Sequence, residues 1–248
     1  MIHKDRFRGR DPFIANENGQ YYLLYADESG ICECAFRDLT HLSAPRPLID
    51  PTADASDIAA WASPQLCGGI LSVTVTRHDG CCGIRLFSCG EYIPGYSTFR
   101  PLTGLLTPPE WNCTDGRLFA GHLVFTRRSA HSSSIYTVPL NRDFLPADKP
   151  KRILPDAEAP SLWFTEAQQP GIGMLCFCRG KACIAHAASW TPDGVWMKRP
   201  LPIPVSGCHA ALFEDSDGSF MAAVSTPDGQ MQFCYLEWQG DEFALIPQ

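Results

Sequence analysis

The chain has 248 residues, a hydrophobic fraction of 45% and a charged fraction of 19%, the make-up of an ordinary globular protein long enough to bury a sizeable core. Its net charge is −7 and no basic run is longer than Arg127-Arg128. Nucleic acid and anionic membrane are excluded as expected partners, because both demand concentrated positive charge; a neutral or weakly charged substrate fits better.

Taken in chain order, five segments share one plan of a first strand, a turn, a second strand, another turn and a third strand. First strands are predicted near Asp11 (DPFI), Trp61 (WASPQL), Asp115 (DGRLF), Glu158 (EAPSLWF) and His209 (HAALF), about 50 residues apart and 43 apart between Asp115 and Glu158. Second strands start near Gln20 (QYYLLYA), Gly69 (GILSVTVT), Gly121 (GHLVFTRR), Gly173 (GMLCFCRG) and Gly218 (GSFMAAVS). Third strands follow from Ile31, Cys82, Ser133, Lys181 and Gln230. These runs are β-branched and aromatic, bounded by Gly, Asp, Asn and Pro, with period-two stretches such as Val73 and Val75 against Thr74 and Thr76. With 21 prolines, no amphipathic helix of ten residues interrupts them, and only Asp57 to Trp61 tolerates a helix. The repeat predicts an all-β chain: a five-bladed β-propeller in a single domain, 1–248. A β-sandwich, the structural rival, needs no repeat of this period.

No apolar stretch approaches the roughly 20 residues that cross a bilayer. The start, Met1 to Arg6, leads straight into charge without an apolar leader, so a cytoplasmic location is expected. Twelve cysteines would signal disulfides in a secreted chain. Here Cys32/Cys34 and Cys176/Cys178 sit two apart in apolar runs, each pair on one side of a strand, and read as buried reduced thiols. A zinc site is the alternative, but no paired CxxC motifs at zinc-finger spacing support it. Cys81-Cys82 lies in a predicted turn and is expected to be the most oxidation-sensitive spot.

In a propeller the first strands line one axis, so equivalent repeat positions converge. Three of the five carry acids, Asp11, Asp115 and Glu158, and a fourth carries His209. Clustered like charges cost folding energy and tend to persist where chemistry needs them. Glycoside hydrolysis has that need: one carboxylate activates water, another protonates the leaving oxygen, and a third can tune the second. The plainer reading is that Asp11 and Asp115 are turn residues at strand starts, and repeat position alone leaves the two readings balanced.

A resemblance shifts that balance. Arg10-Asp11-Pro12-Phe13-Ile14, followed by Gly19-Gln20-Tyr21-Tyr22-Leu23, resembles the opening of glycoside hydrolase family 43. Trp61-Ala62-Ser63-Pro64 is similar to its tryptophan-alanine-proline segment with a serine inserted. Trp111-Asn112-Cys113-Thr114-Asp115-Gly116, Glu158-Ala159-Pro160 and Ser206-Gly207-Cys208-His209 resemble its third, fourth and fifth blade segments. Gln65 stands where many relatives carry an acid, and Ala159 replaces the usual glycine.

The resemblance implies an inverting hydrolase of arabinose- or xylose-containing glycosides, with a glycoside or oligosaccharide as its partner. Asp11 would be the general base, Glu158 the general acid, and Asp115 the residue that tunes and orients the acid. His209 would lie on the axis beside water or Ca²⁺, held through water because calcium prefers oxygen ligands; no cofactor is required. Trp61, Phe13 and Trp163 are candidate sugar-stacking aromatics, set against ordinary core packing. His3, His41, His78 and His131 read as solvated, and His122 and His186 as packing residues. Two rivals remain: a propeller phosphorylase, for which only Arg6, Arg8 and Arg10 could hold phosphate, and a carbohydrate-binding propeller without catalysis.

Overall fold

A computed structural model of the chain describes residues 10–17, 19–36, 42–53, 55–165, 170–201, 205–215, 218–225, 231–239 and 242–247. Among them lie five four-stranded sheets, each an antiparallel meander in chain order. The first holds β1 (Arg10–Glu17), β2 (Gln20–Asp27), β3 (Gly30–Phe36) and β4 (Arg46–Pro47), and the second β5 (Ile58–Cys67), β6 (Ile70–Arg77), β7 (Cys82–Ser88) and β8 (Arg100–Leu105). The third comprises β9 (Asn112–Phe119), β10 (His122–Arg128), β11 (Ser133–Pro139) and β12 (Lys151–Pro155). The fourth comprises β13 (Glu158–Thr165), β14 (Gly171–Cys178), β15 (Lys181–Ala187) and β16 (Met197–Pro200). The fifth comprises β17 (His209–Glu214), β18 (Phe220–Ser225), β19 (Met231–Gln239) and β20 (Glu242–Pro247). All five predicted first strands are present. The segment from Asp57 to Trp61 is extended from Ile58 onward, because pairing with β6 overrides its weak helix preference. No α-helix occurs among the described residues, and so none is long and apolar enough to cross a membrane.

The chain divides into two compact units, Met1–Gly116 and Arg117–Gln248. In the first, the sheets pack through Leu24, Ala26 and Ile31 against Leu71, Val73, Val75 and Phe87. In the second, Val124, Ile135 and Leu154 meet Met174, Cys176 and Ala185, while Leu175, Phe177 and Ile184 meet Ala210, Ala222 and Val224. Each fully buried Leu, Val, Ile or Phe contributes about 1.5–3 kcal/mol. Second strands are therefore covered on both faces, and the hydroxyls of Ser72, Thr74 and Thr126 are as buried as the valines between them. Their alternation is not a solvent-facing pattern.

Those hydroxyls answer a second regularity. The pairing register slips between Arg10 and Phe13, between Ala62 and Gln65, and between Glu158 and Ser161. The residues taken up by these bulges, together with Asp115 in β9, have left-handed backbone: Asp11 at φ 53, Ser63 at φ 47, Asp115 at φ 56 and Ala159 at φ 51. Such a conformation costs an L-residue roughly 1–2 kcal/mol and frees its N–H from the ladder. Thr74 accepts the Asp115 N–H at 2.9 Å and Thr126 the Ala159 N–H at 2.9 Å. Pro12, Pro64 and Pro160, with no N–H to satisfy, or Gly116 follow the left-handed residue. At Gly116 a Cβ would meet Ile84 Cγ2 at 2.6 Å, so packing admits only glycine there. The fifth sheet pairs His209 to Glu214 with no slip.

All twelve cysteines are thiols rather than disulfides. Cys67 and Cys208 are exposed, whereas Cys81 and Cys82 are half-buried, and a hydrogen bond with the Asp79 side chain pushes the Cys81 thiol upward. Accessibility therefore favours Cys67 and Cys208 over the expected Cys81-Cys82 as the first thiols to meet a reagent. Alkylation of the native protein, mapped by peptide mass spectrometry, is expected to label Cys67 and Cys208 first and Cys34, Cys113 and Cys234 only on unfolding. Labelling of Cys81 ahead of Cys67 would contradict this ordering.

Candidate active site

In the first unit, Asp115 is buried at 4% exposure and both its oxygens are engaged. Ser63 Oγ donates to Oδ1 at 2.7 Å and Thr114 Oγ1 donates to Oδ2 at 2.7 Å. With its N–H on Thr74, the residue is fixed at three points, and its carboxylate is poorly placed to take a proton from water. Asp11 is the opposite case. It is half-buried, and no hydrogen bond or ion pair reaches its carboxylate among the described residues. Two aspartates with the same left-handed backbone thus have different chemical freedom.

The serine in Trp61-Ala62-Ser63-Pro64 is not an interruption of the repeat. Ser63-Pro64 has the register of Asp11-Pro12, and its hydroxyl reaches the Asp115 carboxylate. Trp61 precedes the bulge and its ring packs 5.6 Å from Phe87, in the layer between the two sheets. Phe13 packs against that layer and lines a cleft of about 440 Å³ with Glu17, Leu66 and Tyr92. A second cleft of about 530 Å³ lies at the start of β9, between Thr76, Cys82, Glu110, Trp111 and Asn112. Trp111 therefore lines a cleft that Trp61 does not, and the sequence marked it only through the motif it belongs to.

In the second unit Glu158 opens β13, its side chain 24% exposed. It is not at the position equivalent to Asp11 and Asp115: the bulge residue here is Ala159, and Glu158 aligns with Arg10 and Ala62. The sequence alignment was one residue out because an acid was matched to acids, whereas the repeat matches left-handed residues. Arg128 Nη2 lies 3.3 Å from Glu158 Oε2, so a positive neighbour accompanies it on this unit, and that favours the ionised carboxylate.

Arg117 is a site residue that the sequence reading missed. At 3% exposure, it donates from Nε to Pro160 O at 3.1 Å and from Nη2 to His209 Nε2, joining β9, β13 and β17. A guanidinium offers only donors, so His209 Nε2 is the acceptor. His209 is itself buried at 1% exposure. The implied axial Ca²⁺ does not fit at this atom: the imidazole nitrogen is taken by a cation, and a second cation would be repelled. For the same reason His209 is tied into the scaffold rather than turned towards a sugar. Trp163, paired with Gly173, packs on Phe220 at 5.9 Å. His78 and His131 are exposed, and His122 and His186 half-buried. His3, His41, Arg6 and Arg8 lie outside the described residues, as does the side chain of Arg10.

No family model matches the sequence, and no curated protein does. Solved structures do match. An endo-arabinase from Bacteroides thetaiotaomicron VPI-5482 shares 20% identity over 98% of this chain and 99% of its own, with a TM-score of 0.80. A thermostable family-43 glycoside hydrolase shares 14% over 96% and 92%, with a TM-score of 0.74. An endo-1,4-β-xylanase from B. thetaiotaomicron shares 15% over 100% and 97%, with a TM-score of 0.72. The chain has the five-bladed β-propeller fold of the family-43-like glycoside hydrolases.

Proposed function

We propose that the protein is an inverting glycoside hydrolase acting on arabinose- or xylose-containing glycosides. Asp11 takes the proton from the attacking water, Glu158 donates one to the departing glycosidic oxygen, and Asp115 is a positioning residue. The observation that carries the reading is the contrast between two aspartates with the same left-handed backbone: the Asp115 carboxylate is held by two hydroxyls, and that of half-buried Asp11 meets no hydrogen bond or ion pair among the described residues. The sugars are those in the names of the similar endo-arabinase and endo-xylanase. The twelve thiols fit a reducing compartment. A screen with chromogenic α-L-arabinofuranoside and β-D-xyloside, followed by the linear arabinan and xylan chains, tests it. Failure to hydrolyse any of them would overturn the assignment.

The Arg128–Glu158 contact favours a second reading, a carbohydrate-binding propeller without turnover, because a paired carboxylate is a poor proton donor. Saturable sugar binding without hydrolysis is its signature. If Glu158 is the acid, Arg128→Gln removes the charge that favours its ionised form. The alkaline limb of the kcat/KM profile then moves to higher pH. The pair is exposed enough that the coupling is about 0.2–1 kcal/mol, a displacement of well under one pH unit. An unchanged or downward-moving limb would remove Glu158 from the acid's role.

A further inference from the structure

Three cysteines of the fourth sheet converge. Cys176 and Cys178, two apart on β14, share a face. Cys183 on β15 is the cross-strand partner of Cys176 and joins them there. The connecting turn, Arg179-Gly180, has two consecutive left-handed residues at φ 53 and 75, the geometry that closes a two-residue hairpin. All three Sγ atoms lie within 4.8 Å of one another. Cys176 and Cys183 are buried against Val124, Leu154 and Met174, and Cys178 stands at the half-exposed rim.

Packing as small hydrophobes accounts for the burial and not for the distances. Cys178 and Cys183 Sγ are 2.7 Å apart, well inside the roughly 3.5–4 Å optimum for non-bonded heavy atoms. Cys176 and Cys183 Sγ are 3.7 Å apart. A tetrahedral ion with metal–sulfur bonds of about 2.3 Å sets neighbouring sulfurs roughly 3.8 Å apart. Of the three sulfur–sulfur edges, Cys176–Cys183 is already in place, Cys176–Cys178 lies within 4.8 Å, and Cys178–Cys183 needs Cys178 to swing outward by about 1 Å, which its position at the rim permits. Charge also balances. Three thiolates and a divalent ion sum to −1, and the Lys198 ammonium beside Cys178 offsets it, so no buried charge is left uncompensated.

We propose that Cys176, Cys178 and Cys183 form a tris-thiolate site for one soft divalent ion of the zinc class, with solvent in the fourth position at the rim. Binding replaces three thiol protons, which pass to buffer, with three metal–sulfur bonds, and no redox step is involved. The site is independent of the glycosidase assignment.

The test uses the reduced, metal-free full chain under anaerobic conditions, titrated with Co²⁺. The expected result is thiolate charge-transfer and tetrahedral d–d absorption saturating at one ion per chain, with displacement by Zn²⁺ and a rise in melting temperature. Cys183→Ser and Cys178→Ser each weaken binding on the order of a hundredfold or more, whereas Cys67→Ser and Cys208→Ser leave it unchanged. Cys178→Ser, at the rim, serves if the buried Cys183→Ser variant does not fold. Absence of the tetrahedral thiolate spectrum, or its persistence in Cys178→Ser, overturns the proposal. So does a non-reducing peptide map that finds a Cys178–Cys183 disulfide in protein that takes up no metal.

Discussion

Asp11→Ala and Glu158→Ala are each expected to lower the turnover of an unactivated glycoside by roughly 10²–10⁴-fold, the usual contribution of a positioned base or acid. The two variants then part company on an aryl glycoside whose leaving group needs no proton. Glu158→Ala recovers most of its rate, because the step it served is no longer limiting. Asp11→Ala does not, since its water still lacks a base. Asp115→Ala gives a third pattern. Its loss removes the acceptor to which the buried Ser63 hydroxyl and the Thr114 hydroxyl donate, so stability is expected to fall together with rate. NMR of the first product formed is expected to show inverted anomeric configuration. Retention, or recovery on the aryl substrate by Asp11→Ala, would mean that the base and acid are assigned the wrong way round.

The number of blades and the place of each first strand were legible because a propeller repeats one supersecondary unit, and repetition survives in sequence even when each motif is weak. The device at the start of those strands was not. Its common feature is a left-handed backbone, which Asp11, Ser63, Asp115 and Ala159 adopt with three different side chains, and residue type alone does not report φ. A trace was present all the same. Thr74 and Thr126 each stand five residues after a turn glycine, Gly69 and Gly121, and each accepts the N–H of a left-handed residue in the next first strand, Asp115 and Ala159. The alternation of Val73 and Val75 with Thr74 marks a strand, but it does not show that the threonine accepts an N–H from the neighbouring sheet. Ser63 looked like an insertion for the same reason: its role appears only once Asp115, 52 residues away, is brought to its hydroxyl.

Pairing between distant residues is also what hid Arg117, which follows Asp115-Gly116 as an unremarked cation in an apolar strand. Arg117→Lys is expected to destabilise the protein by about 3 kcal/mol, the upper end for a hydrogen bond to a charged group, and by more than Arg117→Met does. Lysine keeps a buried positive charge but not the planar fork that reaches Pro160 O and His209 Nε2 at once. It bears the desolvation cost with fewer bonds to offset it. Methionine loses the same bonds and removes the charge, recovering part of that cost. For a chain of this length 3 kcal/mol lowers the melting temperature by roughly 6–12 °C. In a double-mutant cycle with His209→Ala, the Arg117→Met effect shrinks by about 1–3 kcal/mol, since the two groups share one contact. Thermal unfolding of the five proteins (wild type, the three single variants and the double variant) at one pH measures both quantities. Equal losses in the lysine and methionine variants, or additive effects with His209→Ala, would show that Arg117 contributes by filling space rather than by holding β9, β13 and β17 together.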